Sequence, residues 1–140
     1  MNPTPKYILD SCALIAYLND EPGADIVSNF LEQMENRFVS LLLHKINLLE
    51  VYYGYYRERG KSLADEMLED VLNSGVQILG DISNDMLMEA GRFKGSYSIS
   101  LGDAILLAVA SVSGSAVPTC DHHEFDVVEK AEMIAFEWIR

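Results

Sequence analysis

A chain of 140 residues carries ten Lys and Arg against 22 Asp and Glu, a net charge of −12, with 49% hydrophobic and 23% charged residues. That length makes one domain, residues 1–140, able to bury about two-thirds of its unfolded surface, and the composition excludes a disordered tail, a collagen-like repeat and a coiled coil. The acidity argues against promiscuous binding to DNA or RNA, because neutralisation of phosphates by Lys and Arg supplies most of that affinity; a metal site, a basic partner or a selective enzyme with a small positive rim all remain open.

Tyr7-Ile8-Leu9 is a short apolar run that reads as a buried strand ending at Asp10. Ser11 is placed to cap the apolar helix Cys12 to Leu18. Asn19-Asp20-Glu21-Pro22-Gly23 is turn chemistry, and Pro22 suits the first turn of a helix running to about Asn36, with Ile26, Val27, Phe30, Leu31 and Met34 at helical spacing. Phe38 to Leu42 is β-like. A long helix follows from about His44 to Arg59, closed by Gly60, and Ser62 to Asn73 carries a further apolar face. Val76 to Leu79 reads as a third strand, and Ser83 opens a helix ending near Gly95. Ser100 caps the almost wholly apolar helix Leu101 to Val112, Ala116 to Cys120 reads as a fourth strand, and Met133 to Phe136 as a fifth. Strands alternating with helices imply an α/β fold, a parallel sheet with helices on both faces.

Two cysteines make no disulfide framework. No apolar run approaches the roughly 18 residues of a membrane span, and Met-Asn-Pro-Thr-Pro-Lys followed by Asp10 is no secretion signal. A reducing cytoplasm, with no membrane contact, is the expected setting.

Most acids sit on polar helix faces. Four do not: Asp10 and Asp121 end apolar strands, Glu50 lies in Ile-Asn-Leu-Leu-Glu-Val-Tyr-Tyr-Gly, and Asp103 lies one turn into the most apolar helix. Ligands of open α/β sheets bind beyond the carboxyl ends of the strands. Converging carboxylates repel by about 4 kcal/mol per pair at about 4 Å and an effective dielectric near 20. Unless some stay protonated, a divalent cation is needed, and an all-oxygen ligand set suits Mg²⁺ or Mn²⁺ rather than zinc.

These four stretches resemble the PIN domain, and in particular the toxin ribonucleases of VapBC-type toxin–antitoxin systems. Ile-Leu-Asp-Ser-Cys-Ala-Leu resembles the opening motif, Glu50 the mid-chain helical acid, Ser100-Leu-Gly-Asp103-Ala the third motif, and Thr119-Cys-Asp121 with Phe125 the last. The resemblance implies a three-layer α/β/α sandwich around a mainly parallel five-stranded sheet, and a Mg²⁺- or Mn²⁺-dependent endoribonuclease acting on an RNA substrate. It implies Asp10, Glu50, Asp103 and Asp121 as the catalytic acids, with Asp10, Asp103 and Asp121 nearest the metal and Glu50 orienting it or the water. Ser11, Ser100 and Asp126 would be auxiliary, a cognate antitoxin the partner, and a homodimer the assembly. Two alternatives stand beside it: a phosphoryl-transfer α/β domain, and a non-catalytic metal-binding module.

Arg92 and Lys94 form a candidate positive rim for RNA. His122-His123 are loop histidines rather than zinc ligands. Cys12 and Cys120 are small core residues, since no Arg completes a phosphatase loop. Tyr52, Tyr53, Tyr55 and Tyr56 serve packing or a dimer face.

Overall fold

The computed structural model describes residues 3–140; Met1 and Asn2, part of the segment read against a secretion signal, lie outside them. The elements are β1 (Lys6–Ile8), α1 (Ser11–Leu18), α2 (Ala24–Glu35), β2 (Ser40–His44), α3 (Lys45–Arg59), α4 (Lys61–Leu72), β3 (Gln77–Leu79), α5 (Asn84–Ser96), α6 (Leu101–Ser113), β4 (Val117–Thr119), α7 (His122–Ala131) and β5 (Phe136–Trp138). Two parallel ladders result, β1-β2-β3 and β4-β5. A parallel bridge between Tyr7 and Ala116 joins them: the Ile8 amide donates to the Ala116 carbonyl at 2.9 Å, and the Ala116 amide to the Lys6 carbonyl at 3.0 Å.

Strand alternation divides the core. Ile8 and Leu42 point into one apolar cluster with Phe93, Leu106 and Phe125. Leu9, Leu41 and Leu43 point into the other, with Leu48, Val51 and Met67. Successive strand residues face opposite sides, so both faces are covered: α5, α6 and α7 on one, and α1 to α4 on the other. This is the three-layer α/β/α arrangement. The chain leaves β1 for β2 on one side and reaches β4 on the other. The crevice at that switch, beyond the carboxyl ends of β1 and β4, holds Asp10 and Asp121.

Local chemistry fixes the helix ends. Ser83 and Ser100 accept from the amides of Met86 and Asp103 at the starts of α5 and α6, and Gly60 closes α3. Three sequence readings are corrected. The cap of α1 is Asp10, not Ser11: Asp10 Oδ1 accepts from the Ala13 amide at 2.7 Å. The loop histidines begin a helix, α7, whose polar opening hides its buried residues Phe125 and Val128. The last strand starts at Phe136, not Met133, and Met133 is fully exposed.

The cysteines are also placed differently from the reading as separate core residues. Cys12 and Cys120 form a disulfide across 108 residues, with Cα atoms 6.2 Å apart. The pairing follows from topology. The end of β4 lies beside the start of α1, a neighbourhood that no local pattern encodes.

Candidate active site

Each of the four acids is positioned by a different element. Asp10 leaves β1 at the crevice and is buried, 3% exposed. Its Oδ1 takes the Ala13 amide and its Oδ2 accepts from the Thr119 hydroxyl. Thr119 itself is fully buried in β4, and its Oγ1 accepts from the Asp121 amide at 3.1 Å. One hydroxyl therefore links the two strand-end acids. Asp121 caps α7, its Oδ1 taking the Glu124 amide at 3.2 Å. Asp103 stands in the first turn of α6, its amide held by the Ser100 hydroxyl at 3.1 Å. Glu50 reaches across from α3 to the backbone of α6, and a methyl built on Gly102 would fall 2.7 Å from its Cδ.

The electrostatics of the site show which charges act on one another. Burial, then the charges of Asp103 and Asp121, raise the Asp10 carboxyl from 3.8 to about 7, against the opposing hydrogen bonds from Thr119 and Ala13. Burial raises Asp103 to about 6, and Asp121, Glu124 and Glu50 add to the rise. Burial also lifts Glu50, opposed by a hydrogen bond from Asn47. None of the ion pairs among the described residues involves Asp10, Glu50, Asp103 or Asp121. The pocket is a set of like charges without a protein counterion, and the fold leaves two of its carboxyls protonated over much of the acidic range.

Oxygen donors without a basic partner are the chemistry that a hard divalent cation requires, so the donor set fits one. The ligand arrangement is not formed: among the described residues no three His, Cys, Asp or Glu side chains stand together as ligands, and both Asp10 oxygens are engaged within the fold.

The auxiliary candidates separate. Ser100 is the cap of α6. Ser11 occupies the first position of α1, half-buried. Asp126 pairs with His122 at 2.9 Å on the exposed face of α7. That histidine also meets the Arg140 carbonyl at 3.0 Å and stacks on Trp138, so it fastens the end of the chain.

The basic pair also divides. Lys94 donates to the Ile99 carbonyl at 2.6 Å, beside the start of α6. Arg92 pairs with Glu89 and Glu132, both at 3.0 Å, and Glu89 accepts from Ser111. Ser111 lies eight residues beyond Asp103, about 12 Å along the helix at 1.5 Å per residue. A wide concavity at that far end, lined by Lys6, Tyr7, Arg92 and Ser111, contains none of the four acids. Of the tyrosines, Tyr55 donates to Asn19 and Tyr52 to Asp65, while Tyr53 and Tyr56 are about half exposed.

Sequence reasoning assigned no role to Glu124 or Asn47, and quoted Thr119 only as part of the last motif. Glu124 had a signal: an Asp followed three residues later by Glu, ahead of an apolar pair, is a helix-start pattern. Thr119 had its place in the motif ahead of Asp121 but no stated partner, and Asn47 had no signal, since an asparagine in a helix is commonplace until its partners are known.

Comparison with known proteins gives three findings. The PIN domain family profile matches residues 7–131. No curated protein matches the chain by sequence. Among solved structures, the fold is shared with VapBC2 from Rickettsia felis bound to a DNA fragment from its promoter, at TM-score 0.73 and 19% identity, covering 95% of this chain and 98% of that one. DNA-bound VapBC from Salmonella typhimurium matches at TM-score 0.73 and 19% identity, over 97% and 99%. VapC20 from Mycobacterium tuberculosis, a sarcin-ricin loop cleaving toxin, matches at TM-score 0.67 and 15% identity, over 87% and 94%.

Proposed function

The chain belongs to the PIN domain family, and on that premise we propose that it is a metal-dependent endoribonuclease, the toxin of a type II toxin–antitoxin pair. The observation that supports this reading best is the crevice itself: burial holds the Asp10 and Asp103 carboxyls well above the usual carboxylate range, the Asp121 charge adds to both, and no ion pair among the described residues offsets them.

In this reading Asp10, Asp103 and Asp121 would hold Mg²⁺ or Mn²⁺, and Glu50 would orient the attacking water. When bound, the ion would supply Lewis acidity toward water and the phosphodiester. The protein supplies position. Thr119 and the Ala13 amide fix the Asp10 carboxylate, and the Ser100 cap fixes the turn that carries Asp103. Lys94, beside that turn, contributes the RNA contact. Arg92 belongs to the same rim only when released from Glu89 and Glu132. Ser11 and Asp126 stay auxiliary.

Two of these solved structures are VapBC assemblies on DNA, which supports a cognate antitoxin as partner. A homodimer completes the proposal, with a cytoplasmic location in which the Cys12–Cys120 bond would be open to reduction. Among the described residues no helix is long and apolar enough to cross a membrane. An aspartyl-phosphate mechanism is disfavoured because the position two residues after Asp10 is Cys12, and it is bonded to Cys120.

The test is cleavage of defined RNAs in chelator, Mg²⁺ and Mn²⁺ by the wild type and Asp10→Asn. The proposal expects metal-dependent internal cleavage that Asp10→Asn abolishes. Metal-dependent cleavage retained by that variant, or no cleavage of any RNA by the metal-loaded wild type, refutes it.

A further inference from the structure

Asn47 is 1% exposed and lies three residues before Glu50 on α3, hence on the same helix face. Its Nδ2 group donates twice, to Glu50 Oε1 at 3.2 Å and to the Gly102 carbonyl at 3.1 Å. Both partners are acceptors, so the amide is oriented without ambiguity; turned over, it would press an oxygen against two oxygens. Asn47 Oδ1 finds no donor. A buried carbonyl left unpaired is costly, and an apolar side chain of the same size would fill the space without that cost. What an apolar side chain could not do is join Glu50 to the Gly102 carbonyl, and that pair of bonds is what the amide supplies.

On its other side Glu50 meets bare backbone: a methyl at Gly102 would lie 2.7 Å from its Cδ and 2.9 Å from its Oε2. The carboxylate is thus seated between the Asn47 amide and the glycine of α6, next to Asp103.

We propose that Asn47 is a positioning residue for Glu50: its amide ties the Glu50 carboxylate to the α6 backbone beside Asp103 and sets the direction in which that carboxylate faces the pocket. The proposal rests on the nuclease reading for the role of Glu50, though not for the contact.

The experiment compares Asn47→Leu and Asn47→Ser, each alone and with Glu50→Gln, in single-turnover and steady-state RNA cleavage with Mn²⁺. Loss of a group that orients a ligating or catalytic side chain costs about 10–100-fold; that loss is expected in kcat, with KM held. In the Glu50→Gln background, Asn47→Leu is expected to add less than about a twofold further loss, because residues acting through one another are not additive. Thermal melting runs alongside. A wholly structural asparagine predicts the opposite, a lower melting temperature with normal kcat for the folded protein; that result, or additive losses, overturns the proposal. Asn47→Ser keeps the test decisive if the leucine variant does not fold.

A second readout needs no activity. The Asn47 side-chain amide resonances of the wild type should shift on Glu50→Gln, and an unmoved signal shows that the contact is absent. If the wild type cleaves no RNA, the nuclease reading falls, and the resonance shift still decides whether Asn47 holds Glu50.

Discussion

Replacing Asp10 by Asn should abolish cleavage and, without metal at alkaline pH, stabilise the fold. Burial is the main reason that the Asp10 carboxyl stands at about 7, against 3.8 for an exposed one. The native state therefore holds a proton that the unfolded chain releases near pH 4. Stability from this group is full below about 3.8 and is lost as the pH rises through about 7. At 1.36 kcal/mol per pH unit the whole effect is about 4 kcal/mol, of which about 3 kcal/mol is lost between pH 5 and 8. Asp103, raised to about 6, acts in the same direction. Asparagine keeps the acceptor for the Ala13 amide but makes the Thr119 hydroxyl turn, at a cost of about 1 kcal/mol. The net gain at pH 8 in chelator is about 2–3 kcal/mol, or about 5–10 °C in melting temperature for a domain of this size. The assay is thermal unfolding of both proteins at pH 5 and 8, with chelator and with Mn²⁺. Ligand at about 100 times its Kd should stabilise the wild type by about 2.7 kcal/mol and Asp10→Asn by much less. A wild type whose stability is flat from pH 5 to 8, or an Asp10→Asn no more stable at pH 8 in chelator, refutes the burial argument.

Three other outcomes are expected. Reducing the Cys12–Cys120 bond, which spans 108 residues, should lower stability by up to about 5 kcal/mol on the loop-entropy argument; equal urea midpoints with and without dithiothreitol would contradict it. Gly102→Ala should displace Glu50 and cut cleavage at least tenfold. Gly54→Ala on α3, where an added methyl meets nothing within 4 Å, should leave cleavage intact and raise stability by up to about 1 kcal/mol, and the pair is compared by kinetics and melting. Lys94→Ala should weaken RNA binding and flatten its salt dependence by about one phosphate contact. Arg92→Ala, breaking the pairs to Glu89 and Glu132, should chiefly lower the melting temperature; equal binding losses from both variants would show that Arg92 leaves its partners for RNA.

The layers were legible because they follow from period. Ile8 against Leu9, and Leu42 against Leu41 and Leu43, already mark strands covered on both faces. The caps at Ser83, Ser100 and Gly60 were legible because each is settled within four residues. What escaped depends on distance along the chain or on competition among local signals. The Cys12–Cys120 contact exists only once β4 lies beside α1. α7 opens with His122-His123-Glu124, which as a string looks like a loop, and it is helical because Asp121 caps it and Phe125 and Val128 are buried.

The site divides along the same line. A carboxylate inside an apolar segment is conspicuous because its burial is costly, so Asp10, Glu50, Asp103 and Asp121 stand out from the order of residues alone. The groups beside them are neutral and cheap to bury, and a sequence gives no reason to assign them a partner. Thr119 is an ordinary strand residue until its hydroxyl is seen to join Asp10 to Asp121, and Asn47 an ordinary helix residue until its amide is seen to join Glu50 to α6. The charges of the proposed site are conspicuous in the chain, whereas the direction in which they point is a property of the fold. Substitutions at Thr119 and Asn47 therefore probe that direction separately from the charge.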